Sequence, residues 1–221
     1  MLRISFLIVT LTMSITSTSC IKKSESPGRT AKESPASTED VKELIQLSGP
    51  VTAIETTWSE TYSRISYRTA THLAVENQNE FTVRNVSFTL KRDNSNIVYS
   101  DTPCERYKET LTHIPLPQTE SSGPNIEPVE SSSREEADRK IANNLVPEVI
   151  RNMFTDTQHA TTIWNKLKEK SECSPPVGGG SRILTICSGK THIAIDPFCS
   201  MDSDLADEIR VAVNELAPKI K

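Results

Sequence analysis

What this 221-residue chain lacks narrows its class first. Beyond its first 19 residues no apolar run approaches the roughly 20 residues that a membrane-crossing helix needs. The remainder is therefore expected to be soluble apart from any attached lipid. Basic residues are not in excess: 25 Lys and Arg stand against 29 Asp and Glu, a formal net charge of −4. Removing residues 1–19 takes away only Arg3, leaving 24 against 29 and a balance of −5. That mild acidity argues against nucleic acid, or an anionic lipid surface, as the main partner. Hydrophobic content is only 35%, which points to cores that need covalent help.

Catalytic signatures are missing too. No G-x-S-x-G occurs. Gly178-Gly179-Gly180-Ser181 lacks the Lys-Ser/Thr ending of a phosphate loop, and Ser188-Gly189-Lys190-Thr191 lacks the upstream glycine at the right spacing. Both read as turns. His72, His113, His159 and His192 are scattered, with no H-x-x-x-H pair. Glu135-Glu136 and the acidic group Asp202, Asp204, Asp207 and Glu208 read as solvated helix starts rather than acid–base pairs. No catalytic residue, metal or cofactor is expected from these patterns.

What is present begins with an export signal. Arg3 supplies a basic start, Ile4 to about Ile15 a short apolar stretch, and Thr16 to Ser19 a small-residue boundary. Residues 1–19 are expected to be a signal peptide. Ser17-Thr18-Ser19-Cys20 resembles the lipobox of bacterial lipoproteins, with Ser17 where the aliphatic residue usually stands. The resemblance implies that Cys20 becomes the acylated, palmitate-bearing first residue and anchors the chain in the cell envelope. Ordinary cleavage after Ser19, giving a secreted protein without lipid, is the alternative. Residues 20–38 are rich in Ser, Lys, Pro, Glu and Thr, the composition of a flexible tether reaching on the order of 25 Å.

Cysteine parity supports the lipid. Acylating Cys20 leaves Cys104, Cys173, Cys187 and Cys199, an even set that pairs fully in an oxidising compartment. Three pairings are open, with a slight preference for bonds within the Cys173–Cys199 cluster. Cys173, Cys187, His192 and Cys199 are also the residue types of a zinc site, but they lack the C-x₂-C knuckle. Cys187 near His192 also has the residue types of a nucleophile and base, and nothing in the sequence orients the pair.

The expected fold class is α+β: an antiparallel β-meander, sandwich-like, followed by a helical, disulfide-stabilised C-terminal half with a β-hairpin. Residues 39–114 form the β-rich module, 115–133 a Pro/Ser-rich linker or loop, and 134–221 the helical module. A short helix is expected over Glu39–Leu47, with Ser37 and Asp40 as a capping box and Gly49-Pro50 as its stop. Residues 51–66 fit either a helical stripe or a Thr-rich strand, and strand is preferred. Ile65, Tyr67, Thr69, Thr71, Leu73 and Val75 alternate as a strand. Phe81 and Val83 fall in one phase and Val86, Phe88 and Leu90 in the other, so a bulge is expected near Arg84-Asn85. Ile97 to Tyr99 is a further strand of the meander.

Val75-Glu76-Asn77 through Asn85-Val86-Ser87-Phe88-Thr89-Leu90, with Asp93 and Ile97-Val98, resembles the FxLYD-type segment of exported bacterial proteins. Residues 67–100 carry the likeness, with Lys91-Arg92 in place of the tyrosine. It implies an immunoglobulin-like accessory module, which binds more often than it catalyses.

In the second half Ala137, Ile141 and Leu145 give Arg134–Asn144 helical spacing. Pro147 starts a further helix, and another spans His159–Lys170. Arg182–Cys187 and Thr191–Ile195 form a hairpin, and a last helix begins near Ser203 with Leu205, Ile209, Val213 and Leu216 inward. Trp58 and Trp164 are expected in the core. Asn85-Val86-Ser87 is a glycosylation sequon, relevant to a secreted eukaryotic protein. The expected function is a binding or structural role at the envelope, contacting protein or glycan. An envelope hydrolase assembled around Cys104–His113 or the C-terminal hairpin is the alternative, and a secreted effector the third.

Overall fold

Thr and β-branched residues alternating with polar neighbours build three long strands: β1 (Ala53–Tyr62), β2 (Ile65–Asn77) and β3 (Glu80–Leu90). The structure, a computed structural model, describes residues 44–62, 65–91, 95–113, 131–170, 172–174 and 180–220. The other strands are β4 (Ser95–Val98), β5 (Thr110–His113), β6 (Ser133–Ala142), β7 (Ser181–Ser188) and β8 (Thr191–Ile195). Helices α1 (Glu148–Thr155), α2 (Thr157–Lys166) and α3 (Ser203–Glu215) complete an α+β fold. Six strands form one antiparallel sheet in the order β6-β3-β2-β1-β7-β8, while β4 and β5 pair separately. Strands from both sides of residues 115–133 thus share one sheet, and Glu43–Lys221 is a single compact unit.

The strand registers sort the side chains onto two faces. Ile54 lies across from both Leu73 and Ile186, and Leu73 across from Val83. These residues, with Phe81, Ile141, Leu184 and Ile195, meet Ile150, Met153, Ile163, Trp164, Ile209 and Val213 of the helices. Each such side chain buried in full stabilises the fold by about 1.5–3 kcal/mol. Asp156 caps α2 by accepting from the backbone N–H groups of Gln158 and His159, and Asp202 caps α3 through Leu205. Trp164 is buried as expected.

Several expectations need correction. The phase change along β3 is not a bulge, because the β2–β3 register is unbroken from Leu90 to Phe81. Phe81 and Val83 face the helices, whereas Val86 and Phe88 face a second cluster with Ile97, Leu90, Tyr107 and Leu111. Opposite ends of one strand are buried on opposite faces. The one irregularity lies between Val75 and Asn77, beside the two-residue turn Gln78-Asn79. Neither turn residue adopts positive φ, so the extra residue takes up the splay that such a turn imposes on its strands.

Arg134–Asn144 is not a helix; Ser133–Ala142 is the edge strand β6, paired with β3. Its charged residues 135, 136 and 138–140 are exposed and guard the sheet edge. Sheet pairing overrides the local helical spacing, and Leu145 is exposed. Residues 39–43 of the expected first helix lie outside the described residues, and Leu44–Leu47 has no regular structure. Asn165 instead binds the Ile45 backbone on both sides, accepting from its N–H at 3.1 Å and donating to its carbonyl at 2.9 Å. Leu47 is buried while Leu44 is not. Ile97–Val98, expected in the meander, pairs with β5 in the small second sheet.

Two disulfides cross-link the unit. Cys104–Cys187 joins residues 83 apart, and Cys173–Cys199 joins residues 26 apart, with Cα separations of 6.5 and 5.5 Å. Among the described residues no helix is long and apolar enough to cross a membrane. Paired cysteines fit an oxidising, extracytoplasmic compartment.

Candidate functional site

The sheet face opposite the helices carries charge where an apolar layer would be simplest. A strap of residues 95–113, comprising β4, a 3₁₀ turn at Arg106–Lys108 and β5, lies over it. Polar anchors fix the strap. Arg68 of β2 grips Glu109 with two bonds, Nε to Oε2 at 2.8 Å and Nη2 to Oε1 at 2.9 Å, and Glu109 is 1% exposed. Arg134 of β6 donates to the carbonyls of Glu109 and Tyr107 at 2.9 and 3.3 Å. Glu55 of β1 accepts the backbone N–H of Arg106 at 2.9 Å. The Cys104–Cys187 bond ties the strap to β7, and Cys104 adopts a left-handed φ of 58°.

Between the strap and the β7–β8 turn lies a cleft of about 610 Å³. Thr102–Tyr107 forms one side, Gly189–His192 the other, and the disulfide with His72 the floor. The turn itself is Gly189-Lys190, with Gly189 at φ 59°, which the first position of a tight hairpin turn requires. Tyr107 packs on His72 with ring centroids 4.4 Å apart, and the Arg84 guanidinium lies 4.6 Å from the Tyr107 ring centre.

Beneath the floor sits a buried acid. Glu55 is fully buried and its Oε2 lies 3.9 Å from His72 Nδ1. Burial pushes its carboxyl up to about 7, against the pull of the Arg106 backbone N–H and guanidinium. Burial also lowers His72 to about 4, helped by the nearby Arg84 charge and opposed by Glu105. At neutral pH the contact thus joins a neutral imidazole to a half-protonated carboxyl and is not an ion pair. Glu55 Oε1 faces Arg106 Nε at 3.4 Å without an aligned hydrogen bond, and His72 Nδ1 has no hydrogen-bond partner among the described residues. Two oppositely shifted groups at a cleft are a recognised mark of a functional site.

The sequence candidates fall unevenly around this cleft. Cys187 and His192 are cross-strand partners there, but Cys187 is bonded to Cys104, so the pair holds no thiol nucleophile. Cys173 and Cys199 are paired elsewhere, which leaves the weighed zinc set without thiolates. Among the described residues no group of three or more His, Cys, Asp or Glu is arranged to hold a metal. Cys20 lies outside the described residues. His113 contacts Ser95, and Asn85 of the sequon donates its side-chain amide to the Pro218 carbonyl at 3.1 Å. Glu55 was not singled out by sequence. Its only signal is a charge inside the Ala53–Thr57 run, legible once both sheet faces are known to be covered.

No family model, curated protein sequence or solved structure matches this chain.

Proposed function

We propose that the chain is an exported lipoprotein of the cell envelope, held by an acylated Cys20 and binding an envelope component in the strap cleft. The observation that carries the reading is the cross-linked cleft. The Cys104–Cys187 bond holds its strap wall to the sheet floor, and a preorganised concave site loses less entropy on binding. The bond also calls for the oxidising compartment that the signal-like N-terminus implies. The lipobox-like Ser17–Cys20 and the tether composition of 20–38 support anchoring, and the FxLYD-like segment supports binding over catalysis. The partner is an envelope protein or glycan.

A photo-crosslinking residue at Lys190, on the cleft rim, tests this in cells, with Glu208 on the outer face of α3 as control. The reading expects one discrete adduct in the membrane fraction from position 190 and none from 208. The same adducts from both positions, or none from either, would overturn it.

The Glu55–His72 couple favours a second reading, an envelope hydrolase in which His72 moves a proton at the cleft floor. Turnover in a hydrolase screen, abolished by His72→Gln but retained by Glu208→Gln, is its expected sign. No turnover on any ester, amide or glycoside removes it.

A further inference from the structure

On the helical face the helices cover most of the sheet and leave a groove of about 290 Å³ beside the end of α3. Trp58 sits in its wall, half-buried, whereas Trp164 is 2% exposed within the core. Trp58 was expected inside; it is instead a ring edging open space. Its cross-strand partners are Thr69 on β2 and Arg182 on β7. The register therefore sets Trp58 between Thr69 and Arg182, and all three line the groove. Gly180 makes this arrangement possible: its φ is +69°, and an added Cβ would lie 2.6 Å from the Ser59 carbonyl oxygen. Only glycine lets the chain approach β1 closely enough to bring Arg182 alongside Trp58.

The groove is built from ordered polar groups. The Thr56 hydroxyl donates to Asn214 Oδ1, which leaves the amide Nδ2 of Asn214 to serve as a donor. Asp207 holds Arg210 from outside, at 2.8 Å to Nε and 2.7 Å to Nη2, and Arg210 is largely buried. Among the described residues Arg182 has no ion pair, and the Trp58 indole N–H has no hydrogen-bond partner. Asp207 engages Arg210, so Arg182 is the lining guanidinium without an ion pair among the described residues.

We propose that this groove binds an acidic saccharide, a sugar ring carrying one carboxylate. A pyranose presents C–H groups on one face, which suit the flat Trp58 ring, and hydroxyls at its edge, which suit Thr69 and Asn214. The Arg182 fork matches a carboxylate in two parallel bonds. A threonine floor disfavours an apolar ligand, and a single guanidinium without an ion pair disfavours a polyphosphate. The volume lies at the lower end of small-ligand sites, about 300 Å³, enough for one or two rings. The site is on the opposite face from the strap cleft and does not depend on the lipid.

The test titrates the full mature chain with digalacturonic acid, reading tryptophan fluorescence and titration calorimetry. N-acetylmuramic acid serves as a second carboxylate-bearing sugar and N-acetylglucosamine as the neutral control. The expected result is saturable binding of one or both acidic sugars, weakened roughly tenfold or more by Arg182→Gln and by Trp58→Ala. Trp58→Phe, which keeps a platform, should retain most of it, and Glu208→Gln on the outer face of α3 should leave the titration unchanged. Arg182 is exposed, so its variant should fold, and a thermal melt checks this. No saturable binding of either acidic sugar overturns the proposal. So does equal binding of the neutral sugar, or binding unchanged in Arg182→Gln. Loss of the Lys190 crosslink with sugar binding intact would instead count against the strap cleft alone.

Discussion

Glu55 and His72, facing across strands β1 and β2 with 3.9 Å between carboxyl oxygen and imidazole nitrogen, titrate in opposite senses. Glu55 is raised from 4.5 to about 7 and His72 lowered from 6.5 to about 4. A raised carboxyl makes the folded state lose stability as pH climbs from 4.5 to 7, since the unfolded chain releases its proton first. A lowered imidazole makes the folded state lose stability as pH falls from 6.5 to 4, since the unfolded chain takes up a proton first. Between pH 4.5 and 6.5 folded and unfolded forms hold one proton each on this pair, so the two slopes cancel.

Separating the pair should therefore expose the slopes. Glu55→Gln leaves His72 alone, and stability should fall by about 3 kcal/mol between pH 6.5 and 4. His72→Gln leaves Glu55 alone, and stability should fall by about 3 kcal/mol between pH 4.5 and 7. Urea melts of both variants and the parent across pH 4–7.5 check this. Parallel profiles for the two variants would contradict the assignment.

The strap should detach when its buried anchor is broken on one side. Arg68→Met leaves the strap's buried Glu109 without its guanidinium partner, and is expected to cost about 3–5 kcal/mol. Pairing it with Glu109→Leu should recover most of that loss. Amide hydrogen exchange over residues 95–113 should accelerate in the single variant and return towards the parent in the double.

The two disulfides should differ in weight. The chain-entropy model assigns about 4.5 kcal/mol to the Cys104–Cys187 loop and about 3.5 kcal/mol to the Cys173–Cys199 loop. Replacing each pair by serine and measuring denaturant midpoints should rank them in that order. Removing Cys104–Cys187 should also abolish the position-190 crosslink, because the strap wall is released.

Gly180→Ala places a Cβ against the Ser59 carbonyl in a backbone conformation costly for alanine. A loss of about 1–3 kcal/mol is expected, with weaker acidic-sugar binding, because Arg182 moves away from Trp58. A thermal melt and the same sugar titration measure both effects.

Much of the fold was legible in sequence where burial is one-sided. Period-2 alternation disclosed β2, the Ser188–Thr191 turn disclosed the β7–β8 hairpin, and the 3.6-residue stripe through Ile209 and Val213 disclosed α3. β6 was not legible, because an edge strand with mostly exposed residues has no alternation to read, and Ala137 and Ile141 happen to be four apart. The phase change in β3 was visible, but its cause was not, since a strand buried on both faces mimics a bulge. The site was the least legible part. Glu55, His72 and Cys104 are distant in sequence and meet only through sheet register and strap placement.

The most direct measurement is an intact-mass and non-reduced peptide map of the protein purified from its native host. The expected result is an N-terminal peptide beginning at acylated Cys20, with cross-linked peptides joining Cys104 to Cys187 and Cys173 to Cys199. A free Cys187 thiol would contradict the cross-linked cleft, and a start elsewhere without acyl mass would contradict the tether.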